Sequence, residues 1–345
     1  MLRTLLLLGG FLAPALPAGP HWEYEGPHGQ QQWPEGHPEC GGHAQSPIDV
    51  ETRRAQPDPS LPPIRPLGYQ PPPGATFTLA NNGHTAVLVL PGSGLLEGLG
   101  RSFAAAQLHF HWGRNGTPGG GGAEHLLDGQ RNPAEMHVVH YDSERFPDVA
   151  AAQHHPGGLA VLGVLLELGA DPHPAYDRIF SHLGSIRYAG QSTPIPSFNI
   201  QDLLPSRLDL YYRYNGSLTT PPCSQGVLWT LFKHPVRISP AQLEQLQGTL
   251  YSTQEEAEEP QPLVNNFREP QELNQRLVLA SIPTEPEGYS TGEVIAIVIG
   301  VVVGCLGLFL AGHFAAKKLR ARRAQAQDVV FRASSRRPPS DGARF

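Results

Sequence analysis

Three histidines in two short apolar runs carry the chemistry this sequence offers. In AQLHFHWG, Ala106 to Gly113, His109 and His111 stand one residue apart, and in AEMHVVHY, Ala134 to Tyr141, His137 follows Glu135 by two positions. Side chains alternate along an extended strand. Gln107, His109 and His111 therefore share one face, while Leu108, Phe110 and Trp112 pack the other. Glu135, His137 and Val139 likewise share a face, opposite Met136, Val138 and His140. Residues two apart lie about 6.5 Å apart at Cα, a span over which two imidazoles converge on one ion with bonds of about 2.0 Å. The neighbouring strand supplies the third ligand. Three neutral histidines with an open fourth position make a catalytic zinc site, whereas structural zinc takes four protein ligands rich in cysteine. Gln107 and Glu135, each two positions before a histidine, suit the partner that a metal-bound imidazole needs at its free nitrogen. His140 faces the other way and reads as a buried structural histidine. The adjacent His154 and His155 read as a surface-loop pair.

These strands need a β framework, and the sequence offers one. Short β-rich runs recur: ATFTLANN, HTAVLVL, AAQLHFHW, AEMHVVHY, LAVLGVLLELG and GVLWTLF. Helical periodicity is strongest in SPAQLEQLQGTL, where Ser239 suits the N-cap and Pro240 the first turn. PDPSLPPIRP, QPPPG and GTPGGGGAE read as loops and turns. The expectation is one mainly β domain with a few helices and a mixed sheet.

The chain ends say where that domain lies. Residues 1–19 carry Arg3, then four leucines and small residues, the layout of a cleaved secretory signal. Residues 294–316 hold no Asp, Glu, Lys or Arg and are long enough for one membrane-spanning helix, and KKLRARR follows at once as a positive-inside signal. The expected layout is a signal peptide (1–19), an extracellular domain (20–282), a stalk (283–293), a span (294–316) and a basic cytoplasmic tail (317–345), a single-pass type I protein of the plasma membrane. The tail carries nine basic and two acidic side chains, so the rest has a net charge of −13 against −6 for the whole chain. Such an acidic ectodomain is not built for nucleic acid. Gly300 and Gly304 have the spacing through which two spans can approach as a homodimer. Cys305 falls in the span, leaving Cys40 and Cys223 to pair in an oxidising compartment. Asn115 and Asn215 open N-glycosylation sequons, each expected in a surface loop.

From about His21 to Ser281 the chain resembles the α-class carbonic anhydrases of the membrane-bound type. The resemblance rests on QSPIDV at Gln45, NNGHT at Asn81, AQLHFHWG, AEH at Ala123, AEMHVVHYD, LAVLGVLLELG and NGSLTTPPCSQGVLWT from Asn215. It implies a large, twisted, mostly antiparallel central sheet with zinc at the bottom of a conical cleft. It implies reversible hydration of carbon dioxide to bicarbonate and a proton, with sulfonamides and anions as inhibitors. The Zn2+ ligands would be His109, His111 and His137, supported by Gln107, Glu135 and the backbone oxygen of Asn266. Thr219 matches a hydroxyl that donates to Glu124 and orients the attacking oxygen, and Thr220 follows as an anion or water contact. Val139, Val161, Leu218 and Trp229 match an apolar pocket for carbon dioxide. His84 matches a proton relay, with Tyr24 and Asn82 in its water network. One departure is Val87, where relatives often carry a polar residue. A catalytically inactive adhesion or receptor ectodomain of the same family would be expected to lack a zinc histidine. A metal buffer would not need Thr219 beside Glu124.

Overall fold

The ten-residue apolar run Leu159–Leu168 explains the architecture, because a strand apolar on both sides must be covered on both. Ala160, Leu162, Val164 and Leu166 face one buried cluster, and Leu159, Val161 and Leu165 face another. The computed structural model describes residues 21–114, 116, 121–282 and 291–334. Its main elements, in chain order, are β1 (Thr76–Asn81), β2 (Ala86–Val89), β3 (Phe103–Trp112), β4 (Ala134–Tyr141), β5 (Leu159–Leu168), α1 (Pro174–Phe180), β6 (Ser192–Pro196), β7 (Tyr211–Ser217), β8 (Gln225–Phe232), α2 (Pro240–Gly248), β9 (Leu279–Ala280) and α3 (Thr291–Ser334). The nine strands run in the order β6-β1-β2-β3-β4-β5-β8-β7-β9 within a 13-stranded sheet. Neighbours along this path are antiparallel except β5 and β8, which are parallel. The fold is thus mainly β with a few helices.

Register is specified by burial. A slip of one residue in β3 or β4 would turn Leu108, Phe110, Trp112, Met136 and Val138, all 0% exposed, out of the core. The observed pairing sets His109 directly opposite His137, and His111 opposite Glu135. Between β1 and β2, the Asn82 side chain accepts from the backbone N–H groups of His84 and Thr85, and Asn81 accepts from Gly83. Gly83 has φ 87° there, a left-handed conformation that favours glycine. Helix α2 begins with a capping box: Ser239 Oγ accepts from Gln242 N, and Gln242 Oε1 accepts from Ser239 N.

The chain divides into two compact units, one through Pro283 and one from Thr284. In the second, α3 is 44 residues long, about 66 Å at 1.5 Å per residue, against a hydrocarbon core of about 30 Å. Ile295–Arg323 is long enough to cross a membrane, and its most apolar 18-residue stretch has a mean hydropathy of 2.7. The helix runs past the apolar segment because Lys, Arg, Ala and Gln are all good helix formers.

Cys40 and Cys223 are joined as expected, with a Cα–Cα distance of 4.9 Å. Asn215 departs from expectation. Its side chain is exposed, but it sits on β7, opposite Leu228, rather than in a loop. The buried neighbours Tyr214 and Ser217 hold that segment in the sheet despite its Asn-Gly pair. Residues 1–19, Asn115, residues 283–290 of the expected stalk (283–293) and residues 335–345 of the expected tail lie outside the described residues.

Candidate metal centre and cleft

Strands β3 and β4 bring the three histidines together. One nitrogen from each of His109, His111 and His137 lies within 4.8 Å of the others. Each ring is tethered by its second nitrogen. His109 Nδ1 meets Gln107 Oε1 at 2.9 Å, His111 Nδ1 meets the Asn266 carbonyl oxygen at 2.7 Å, and His137 Nε2 meets Glu135 Oε1 at 2.7 Å. A carbonyl or carboxylate oxygen only accepts, so both His111 and His137 carry their proton on the outward nitrogen. Their inward nitrogens, His111 Nε2 and His137 Nδ1, then face each other as lone pairs 3.0 Å apart. Protonating one to relieve the repulsion is opposed by burial, which lowers the pKa of His111 and lowers that of His109 further, with the charges of the other two rings adding at His109. A cation between the lone pairs resolves the conflict, and two ligands on a tetrahedral zinc ion stand about 3.3 Å apart. The donor set fits zinc.

A second grouping, His125, Glu135 and His137, also gathers three possible ligands. It is a hydrogen-bonded triad, because Glu135 Oε1 accepts from His125 Nδ1 and His137 Nε2, each at 2.7 Å. Burial pushes the Glu135 carboxyl up, but the two histidines outweigh it and hold it well below the usual carboxylate range.

Asn266 is 0% exposed and ties several segments of the site together. Besides supporting His111, its side chain accepts from Trp112 N and donates to the carbonyls of Phe110 and His84. Val139 and Val161 oppose each other in the sheet, Trp229 opposes Val161, and Leu218 packs against the same cluster. Val87 opposes His109 across β2 and β3 and is half-buried.

Thr219 is buried, with Thr220 beside it half-buried. The expected hydrogen bond from Thr219 to Glu124 is not formed here. Glu124 Oε1 accepts from Arg268 N at 2.8 Å, and its buried Oε2 has no partner among the described residues. A buried carboxylate oxygen without a donor is costly.

His84 lies where β2 begins, but its ring is stacked on Trp22 with centroids 3.8 Å apart and planes 10° from parallel. Burial, with help from His21, lowers its pKa, while Glu23 pulls the other way. Tyr24 is half-buried, and burial and the Glu124 charge push its phenol well above the ordinary value, so it keeps its proton. His140 is 0% exposed and bonded through Nε2 to the Tyr69 hydroxyl, the structural role expected of it. His154 and His155 are exposed. Sequence reasoning missed His125, Tyr214, Ser46 and Arg268. Only AEH offered a local signal, with His125 directly after Glu124.

A family model described as eukaryotic-type carbonic anhydrase matches residues 28–282. Carbonic anhydrase 12 of Homo sapiens is 39% identical over 328 residues, covering 94% of this chain and 92% of the relative. Carbonic anhydrase 6 of Bos taurus is 40% identical over 294 residues, covering 84% and 89%. Carbonic anhydrase 1 of Mus musculus is 37% identical over 269 residues, covering 76% and 99%.

Proposed function

This chain belongs to the eukaryotic-type carbonic anhydrase family and is an enzyme of that class, and from this premise we propose how its own residues do the work. It hydrates carbon dioxide reversibly to bicarbonate and a proton, using zinc held by His109 Nε2, His111 Nε2 and His137 Nδ1. The observation that carries this reading is the pair of outward-tethered rings whose free nitrogens face each other at 3.0 Å. When bound there, zinc supplies the Lewis acidity that brings the pKa of water to about 7, a value established on carbonic anhydrase itself.

The remaining steps belong to the protein. Val139, Val161, Leu218 and Trp229 form an apolar wall suited to carbon dioxide, which has no charge and few hydrogen-bonding demands. Thr219 does not reach Glu124 in this structure, but on donating its single proton to the unpartnered Glu124 Oε2 its oxygen could only accept, which would fix the lone-pair direction of the attacking oxygen. Thr220 contacts water or anion. His84 takes the released proton at a ring nitrogen and passes it to buffer, with Tyr24 and Asn82 ordering the water between.

The domain works outside the cell, anchored in the plasma membrane by residues 294–316 with the basic tail inside, and serves pH and bicarbonate homeostasis. The leader-like residues 1–19, the apolar helix and KKLRARR support this topology. The single apolar helix and the KKLRARR that follows it support a placement with the transmembrane isozymes, of which the one numbered fourteen is our assignment. Gly300 and Gly304 support a homodimer, and sulfonamides and anions are its inhibitors. The test is zinc content. The full chain binds one zinc, and His137→Ala loses it or holds it far more weakly. A His137→Ala protein with full zinc refutes the ligand assignment.

A further inference from the structure

Behind His137 runs a chain of buried hydrogen bonds whose direction can be worked out donor by donor. Glu135 accepts four N–H groups: Oε1 from His125 Nδ1 and His137 Nε2, and Oε2 from the backbone nitrogens of Glu124 and His125. Four donors fill the lone pairs of a carboxylate, leaving no room for a proton of its own. His125 therefore carries its proton on Nδ1, and its Nε2 must accept. It accepts from the Tyr214 hydroxyl at 2.7 Å. Tyr214 has spent its only proton, so at 2.8 Å Ser46 Oγ must donate to it. Ser46 Oγ in turn accepts from Ser217 N at 3.0 Å, and Ser217 Oγ accepts from Ser46 N at 2.9 Å. Ser217 leads directly into Leu218 and Thr219. Ser46, His125 and Glu135 are 0% exposed and Tyr214 is 2% exposed, so water does not offer substitutes. A Cβ on Gly216 would come within 2.0 Å of Ser46 Oγ, so the close approach needs glycine.

We propose that Tyr214 and His125, backed by Ser46, are positioning residues for the metal centre. Their directed chain locks His137 in the tautomer that presents Nδ1 and ties that ligand to the segment carrying Thr219. The proposal deepens the zinc reading and rests on it.

The test measures zinc release from the full chain in detergent to an excess of chelator, together with the visible absorption of the cobalt-substituted protein. Tyr214→Phe should release zinc about 10-fold faster or more, the scale seen when the partner behind a metal ligand is removed. It should also shift the cobalt bands, which report ligand geometry. Tyr176→Phe is the control. Tyr176 is equally buried and donates to the Leu203 carbonyl, outside the chain, so that variant should keep the parental release rate and spectrum. Ser46→Ala should act in the direction of Tyr214→Phe, and decides the matter if Tyr214→Phe does not fold. Parental release rates and spectra in these variants would overturn the proposal. A parent chain that binds no zinc would instead overturn the metal reading itself.

Discussion

Breaking the Cys40–Cys223 bridge should cost stability and catalysis together, and the pattern across variants should reveal why. The bridge closes a loop spanning 183 residues. Chain-entropy scaling values such a cross-link at about 5 kcal/mol, and residual structure in the unfolded chain lowers this to about 3–5 kcal/mol. For a domain of this size that corresponds to a fall in Tm of about 10 °C. The bridge also holds local backbone. Cys40 O accepts from Arg268 Nη2, Cys223 O accepts from Gln45 Nε2, and Cys223 N donates to Thr220 O. Cys223 is held at φ 59°, a left-handed conformation its side chain disfavours. Releasing it loosens the Thr219–Thr220 turn, so hydration should slow as well. The assay is thermal unfolding and hydration rate for Cys40→Ala, Cys223→Ala and the double variant, without reductant. Each single variant removes the whole cross-link, so all three should lose nearly the same stability. Losses that add from the singles to the double, or a parental Tm in any variant, would refute the loop-entropy reasoning.

Three further outcomes follow. His140 has its pKa lowered to about 4 by burial, against an ordinary 6.5, so between those values the unfolded chain takes up a proton that the native one refuses. Stability should therefore fall as pH drops from 6.5 to 4, by about 1.4 kcal/mol per unit and roughly 3 kcal/mol in all; His140→Gln should flatten that slope by one proton in denaturant titrations, and an unchanged slope would exclude His140 as its source. Thr219→Ala should keep its zinc yet lose roughly 10²-fold in rate, and a zinc-loaded variant turning over at the parental rate would dismiss the orienting role. His84→Ala should lower turnover about ten-fold in dilute buffer, recover with added imidazole and leave kcat/KM nearly unchanged; an unaltered maximal turnover would remove His84 from proton release.

The sequence showed most plainly what depends on alternation. The two faces of β3 and β4, the three converging histidines and the placement of His140 on the other, buried face all follow from a period of two, and Ser239 announced α2 through local capping. What stayed hidden depends on distant partners. Strand β7 contains Arg213, Asn215 and Gly216, poor signals for a buried strand, and it is pinned by pairing with β8 and by Ser46, far away in sequence. His125 could not be given a role before Tyr214 and Glu135 were seen on either side of its ring. Arg268 approaches Glu124 from 144 residues away. The stacking of the His84 ring on Trp22 has no counterpart in local pattern.

Stopped-flow hydration of carbon dioxide by the full chain, with zinc measured on the same sample, asks whether the three-histidine centre is the seat of catalysis. Hydration should run far above the buffer rate, disappear when a chelator strips the metal, return when zinc is restored, and be absent in His137→Ala. A parent chain that holds one zinc at His109, His111 and His137 yet hydrates carbon dioxide no faster than buffer would contradict the account.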